Sequence, residues 1–212
     1  MRLRKTIDTS GIALDPEALE GRLDLAEIFG RPGPFELEIG SGKGTFLAQE
    51  AAARRDVCFL GVEYMRKYCA YAADRLRRAG LDHCRTLATD AVELLREHLP
   101  SDAFQVVHIY FPDPWPKARH NRRRLVRADV LPELERVVAP GGELRIVTDH
   151  PEYAEWITEV LEHCTFPEIE YTPPVSAREG EMVGTNFERK YTVRDGRPFF
   201  PFARRKPEAS GA

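Results

Sequence analysis

One aspartate stands out for its surroundings. Residues 104–124 read Phe-Gln-Val-Val-His-Ile-Tyr-Phe-Pro-Asp-Pro-Trp-Pro-Lys-Ala-Arg-His-Asn-Arg-Arg-Arg. An apolar run of strand composition stops at Asp113, fenced in by Pro112, Pro114 and Trp115. A cluster of cations follows: Lys117, Arg119, Arg122, Arg123, Arg124 and Arg127, with no acid among them. A lone carboxylate at a strand end, beside a surface suited to phosphates, points to chemistry on a nucleic acid. Binding to phosphates follows local charge density more than the net charge, which here is −3.

A second constellation lies upstream. Glu38-Ile-Gly-Ser-Gly-Lys-Gly44 follows one predicted strand and opens a helix. Glycines there let the chain turn sharply and let a ligand press on the backbone. The spacing fits neither a P-loop, because Gly42-Lys43 is followed by Gly44, nor the dinucleotide fingerprint, because Thr45 stands where the third glycine belongs. Glu38 would repel a pyrophosphate, but it suits a ligand carrying a cation, such as the amino group of a methionine moiety. Glu63 ends the next predicted strand, where an acid can accept both ribose hydroxyls. Asp90 ends the third, where it can take an adenine amino group and also cap the following helix. Acids at four strand ends beside a glycine loop favour S-adenosyl-L-methionine over other nucleotides.

The elements that must position these residues follow from the pattern. Strands are predicted at 35–39, 57–62, 84–88, 104–111 and 143–147, and helices at 44–54, 65–79, 91–98, 122–138 and 151–163. This alternation implies βαβ units, a parallel sheet and a doubly wound α/β fold whose ligands sit at the carboxyl edge. Two late strands, 168–171 and 198–204, are expected to close the sheet as an antiparallel hairpin. Residues 1–34 read as an arm with one short helix around 17–28, residues 35–206 as the folded domain, and 207–212 as a frayed tail. The predicted helix at 122 would place Arg122, Arg123 and Arg124 at its positive end. The macrodipole opposes cations there, so an external anion would have to reward them.

Composition limits the remaining possibilities. The chain has 212 residues, 42% hydrophobic and 31% charged, which suits one ordinary globular domain. No apolar run approaches the ~20 residues of a membrane span, and the basic N-terminus lacks the apolar core of a secretory signal. Cys58, Cys69, Cys84 and Cys164 are scattered without a CxxC pair, so reduced thiols, a cytoplasmic setting and no metal are expected.

The residues so assembled resemble the bacterial tRNA (guanine-N7)-methyltransferase family. The resemblance is carried by 37–44 (Leu-Glu-Ile-Gly-Ser-Gly-Lys-Gly), 61–64 (Gly-Val-Glu-Tyr), 110–117 (Tyr-Phe-Pro-Asp-Pro-Trp-Pro-Lys), 120–124 (His-Asn-Arg-Arg-Arg), 148–150 (Thr-Asp-His) and 185–190 (Thr-Asn-Phe-Glu-Arg-Lys). The Pro-Asp-Pro-Trp-Pro-Lys and Thr-x-Phe-Glu runs are its specific signals; the glycine loop is generic. It implies a Rossmann-like class I methyltransferase with a mostly parallel seven-stranded sheet and an antiparallel C-terminal strand. It implies methyl transfer from S-adenosyl-L-methionine to N7 of a variable-loop guanosine in tRNA. Glu38, Gly40, Gly42, Glu63, Asp90 and Asp113 would surround the cofactor, and Asp113 would be catalytic. Lys117, Asp149, Thr185, Asn186, Phe187 and Glu188 would face the substrate. Arg119, His120, Asn121, Arg122, Arg123 and Arg124 would contact RNA.

Guanine N7 has a lone pair and no proton, so no base is needed to expose the nucleophile. Alignment is then the main catalytic device, with a carboxylate to hold the base and balance its new positive charge. Two other functions remain open: a methyltransferase acting on a small molecule, and an RNA-binding protein that keeps the fold without turnover. Either a monomer or a homodimer fits.

Overall fold

The computed structural model describes residues 6–209, apart from the side chains of Ala118, Asn186 and residues 192–195. Seven strands form one sheet: β1 (Ala13–Leu14), β2 (Phe35–Ile39), β3 (Cys58–Glu63), β4 (Cys84–Ala88), β5 (Phe104–Tyr110), β6 (Val138–Thr148) and β7 (Phe200–Arg205). Their order is β1-β4-β3-β2-β5-β6-β7. All neighbours pair in parallel except β6 with β7, which runs antiparallel. The order reverses between β2 and β5, and that switch point is where an open α/β sheet offers a crevice. Among the described residues seven α-helices accompany the sheet: α1 (Leu25–Phe29), α2 (Thr45–Ala53), α3 (Arg66–Arg78), α4 (Ala91–Glu97), α5 (Leu131–Val137), α6 (Pro151–Leu161) and α7 (Asn186–Asp195).

The two faces of the sheet can be read from the alternation of buried side chains. In β3, Cys58, Leu60 and Val62 join the larger core cluster with α4, α5 and α6, whereas Phe59 joins a second cluster under α2 and α3. Leu37 and Ile39 of β2 face the larger cluster, so Glu36 and Glu38 face the other way. Two acids therefore lie buried on the α2 side, 1% and 4% exposed. Glu36 is paired there: the Arg54 guanidinium faces Oε1 at 2.7 Å as an ion pair, and the His108 ring meets Oε2 at 2.9 Å. Burial would raise its carboxyl pKa, but the His108 hydrogen bond and the charges of His108 and Arg54 hold it below the ordinary value. His108 also meets the Tyr110 hydroxyl at 2.8 Å, which makes it the satisfied interior residue its strand position suggests.

Several expectations are corrected. Residues 168–171 form no strand; Glu168 makes a single bridge to Arg204, and the seventh strand is β1, at the opposite edge beside β4. Residues 12–34 hold that strand, a 3-10 turn at Pro16–Ala18 and α1, and Ile12, Leu25 and Phe29 are buried in the core. The helix expected at 122–138 is only α5; ahead of it a 3-10 helix spans Ala118–Arg123. Arg122 and Arg123 thus sit in the last turn of a helix, where cations suit the dipole, and the electrostatic argument for an external anion lapses. α7 was not expected at all, because its ten residues have little amphipathic periodicity.

Candidate active site at the carboxyl edge of the sheet

A cavity of about 930 Å³ opens at the switch point. Gly40, Glu63, Asp90, Asp113, Arg122 and Arg123 all line it, contributed by the loops after four different strands. Tyr64, Tyr110, Phe111 and Trp115 supply aromatic walls. A second cavity, of about 550 Å³, lies at the amino end of β2 and β5 and contains none of the expected site residues.

The glycine loop is tied to β3. The amides of Gly40 and Ser41 donate to the Val62 carbonyl at 2.8 and 3.0 Å, and Gly42 N–H donates to Glu63 at 2.9 Å. The other Glu63 oxygen accepts from Met65 N–H at 2.8 Å. Each oxygen of an ionised carboxylate has two acceptor sites, so Glu63 retains capacity for a diol. Asp90 Oδ1 caps α4, accepting from the amides of Val92 and Glu93 at 2.8 and 3.1 Å, while the residue stays exposed on the cavity wall. Glu38 precedes the lining residues Ile39 and Gly40. Its Oε2 is buried with no hydrogen-bond partner, and its carboxyl is pushed up to about 8, by burial first and then by the charge of Glu63. An orphaned acid beside a glycine loop could hold a cationic group.

The Asp113 loop is held under strain. Phe111 and Trp115 have φ of +52° and +43°, left-handed values that cost a non-glycine residue about 1–2 kcal/mol each. The surroundings over-determine the loop. Phe111 N–H donates to the Val147 carbonyl at 2.8 Å, and its ring packs 4.7 Å from Phe187 and 5.5 Å from Phe199. Trp115 lies edge-on to His120 at 5.7 Å, with the Arg123 guanidinium 5.0 Å over its ring. Arg124 braces the loop from below: Nε donates to the Pro114 carbonyl at 2.8 Å, and the guanidinium lies 5.0 Å from the Tyr153 ring and 4.8 Å from that of Trp156. Arg124 is only 5% exposed, so it is withdrawn from the expected RNA-contacting set. The reason is plain: its cation sits between two aromatic rings. Arg119, Arg122 and Arg123 remain exposed, as does Lys117; His120 and Asn121 are half-buried.

The remaining expected substrate residues lie outside the cavity lining. Asp149 accepts from Arg197 at 2.7 Å. Thr185 and Glu188 form a helix-capping pair: Thr185 Oγ1 accepts from Glu188 N–H at 3.1 Å, and the Glu188 carboxylate takes the amides of Met182, Val183 and Gly184. Glu188 is 2% exposed, its lone pairs directed at backbone. This pair folds the loop before α7 and delivers Phe187 to Phe111, beside Asp113. Asn186 opens α7, and its side chain lies outside the described residues. Sequence reasoning missed Arg124 as a brace and Thr185–Glu188 as a cap; the Thr-x-x-Glu spacing was the available signal for the second. Among the described residues no group of three or more His, Cys, Asp or Glu could hold a metal ion, and no helix is long and apolar enough to cross a membrane.

A family model described as "Putative methyltransferase" matches residues 32–200. The chain is 44% identical over 142 residues to the tRNA (guanine-N(7)-)-methyltransferase of Halorhodospira halophila, a match covering 67% of this chain but 62% of that protein, less than two thirds of its length. It is 38% identical over 191 residues to the enzyme of the same name from Alkalilimnicola ehrlichii, covering 89% of this chain and 79% of the relative. A SAM dependent methyltransferase from Aquifex aeolicus superposes with a TM-score of 0.56 at 16% identity, over 85% of this chain and 87% of that one, a likeness of fold alone. With sequence matching over most of its length, the chain belongs to the tRNA (guanine-N(7)-)-methyltransferase family.

Proposed function

We propose that this protein transfers the methyl group of S-adenosyl-L-methionine to N7 of a variable-loop guanosine in tRNA, in the cytoplasm. The observation that carries the proposal is the single cavity in which Glu63, Asp90 and Asp113 converge from three strand ends beside Arg122 and Arg123. The unpartnered Glu38 suits the cofactor's ammonium, Glu63 its ribose, and Asp90 its adenine, with Gly40 and Gly42 allowing close backbone approach. When bound, the cofactor supplies a methyl group activated by a sulfonium. The chain's own part is to place guanine in line with that methyl and to exclude water. Asp113 holds the N–H edge of the base and balances the positive charge it acquires. The strained loop makes Asp113 rigid, so little reorganisation is needed during transfer. Lys117, Arg119, Arg122 and Arg123 bind phosphates, and Phe187 backs the Phe111 wall of the pocket from the α7 side. Thr185 and Glu188 act through the backbone they hold, and Asp149 through Arg197.

The test is to incubate the protein with methyl-labelled cofactor and unmodified tRNA, then digest to nucleosides. Label in 7-methylguanosine is the expected result. Label only on a small acceptor, or cofactor bound without transfer, would overturn the proposal.

A further inference from the structure

Seven large apolar or aromatic side chains stand exposed among the described residues, and four of them fall in one eight-residue stretch: Tyr64, Met65, Tyr68 and Tyr71. Core burial does not account for them. Tyr64 is 72% exposed and Tyr68 41%. Tyr68 and Tyr71 stand one turn apart on α3, on one face. Tyr64 precedes the helix and lines the active-site cavity, so the stripe runs out of the cavity onto the surface.

Cations are interleaved with these rings. Gly44 has φ of +65°, and a Cβ built there would lie 2.8 Å from the Ala72 Cβ, so the start of α2 packs against α3 at backbone range. That contact brings Lys43 to the stripe: its Nζ lies 5.3 Å from the Tyr68 ring centre and 6.0 Å from that of Tyr71. Arg66 and Lys67 are also exposed, and the run from Met65 to Ala73 contains no acid. Arg66 faces Glu17 only at 3.7 Å, with both side chains largely in solvent.

We infer that this stripe is a stacking platform for unpaired bases of the RNA substrate. It rests on the proposed action on tRNA and names a surface for it separate from the cations around residues 117–123. Flat rings offer stacking faces, and neighbouring ammonium and guanidinium groups meet the phosphates between successive bases. Charge complementarity selects RNA over a second copy of this chain, because self-association through this face would set Lys43, Arg66 and Lys67 against their own copies.

The test uses the full-length protein with Tyr68→Ala and Tyr71→Ala, singly and together, and with Tyr68→Phe/Tyr71→Phe. Each alanine should weaken tRNA binding by roughly 5- to 100-fold, the range for loss of one stacked base. The double phenylalanine variant should bind nearly as the parent. Cofactor affinity, measured by calorimetry without RNA, should be unchanged in all of them. A double alanine variant that binds tRNA within two-fold of the parent overturns the inference, and a simultaneous change in sedimentation would reassign the face to a protein partner. If the parent forms 7-methylguanosine while this result is obtained, the platform fails and the enzymatic proposal stands. If the parent binds no tRNA, both fail.

Discussion

The two sides of the cavity are built in different ways. On the proposed cofactor side, Glu38, Glu63 and Asp90 lie at the ends of three adjacent parallel strands, β2, β3 and β4; Glu63 and Asp90 are held by contacts within a few residues or across one strand pair, and Glu38 by its place in β2. On the proposed substrate side, Asp113 sits on a loop whose geometry depends on Phe187 and Phe199 from the C-terminal region, Tyr153 and Trp156 from α6, and Arg124. A strand end is a cheap and rigid address for a side chain. A loop that must hold a carboxylate against a base needs outside support, and here that support comes from residues 10 to 88 positions away. Changes on the cofactor side should therefore act locally, and changes on the substrate side should propagate.

The largest effect is expected for Asp113→Asn. It keeps shape and loses charge, so kcat/KM should fall about 100- to 1000-fold, as for loss of one preorganised electrostatic contact, while cofactor affinity stays within a few-fold. Turnover near that of the parent would remove Asp113 from the centre of the site. Arg124→Ala comes next. Loss of a buried side chain that holds the Pro114 carbonyl should cost about 2–4 kcal/mol of stability. Because it acts on the loop, kcat should also fall at temperatures where the variant is fully folded, with Arg124→Lys recovering only part. Cofactor binding by folded Arg124→Ala should be normal; a parallel loss there would break the contrast between the two sides.

Glu38 sharpens the contrast from the other side through pH. Its folded carboxyl titrates at about 8, above the ordinary value of 4.5. Below 8 it is protonated and attracts a cofactor ammonium weakly, so affinity should rise with pH up to about 8. Above that, an α-amino group, which titrates near 7.7–8.0, loses its own charge. Calorimetry should show tightest binding near pH 8 and a flattened acid limb in Glu38→Gln. Stability has the opposite slope: the folded form binds the proton more tightly, so the contribution is complete below about 4.5 and lost as pH rises through 8. Glu38→Gln should raise Tm more at pH 8.5 than at pH 5. The smallest effect is expected from the surface cations. With Lys117, Arg119, Arg122 and Arg123 on phosphates, log affinity for tRNA should fall with log salt at a slope of about −3. Each Arg→Ser among these three arginines should lessen that slope by nearly one and leave the affinity for cofactor unchanged.

The legible part of this molecule is the part governed by short-range rules. β2 and β4 lie at their expected bounds, and α2, α3, α4 and α6 within two residues of theirs, because apolar runs, capping residues and glycines mark them locally. Glu63, Asp90 and Asp113 meet because parallel strands of one sheet end on one edge. β1 escaped notice because two residues carry no period, and α7 because its capping pair and aromatic contacts replace an amphipathic face. The predicted helix at 122 does not form because Arg124, in an extended conformation, packs on Tyr153 and Trp156 and donates to the Pro114 carbonyl. Pro-Gly-Gly at 140–142 lies within β6, opposite a register shift in the ladder with β5.

By itself the sequence determined the doubly wound sheet, the edge on which the acids gather and the family. The sheet and its edge follow from periodicity and strand-end position, which neighbouring residues set; the family follows from the resemblance carried by short motifs such as Pro-Asp-Pro-Trp-Pro-Lys at 112–117. Only the tertiary structure decided which arginines face solvent, that Glu188 serves backbone amides, and that α3 presents a row of tyrosines beside Lys43. Those outcomes depend on which distant surfaces meet, and a side chain's burial, charge state and partners are properties of that meeting rather than of the residue type.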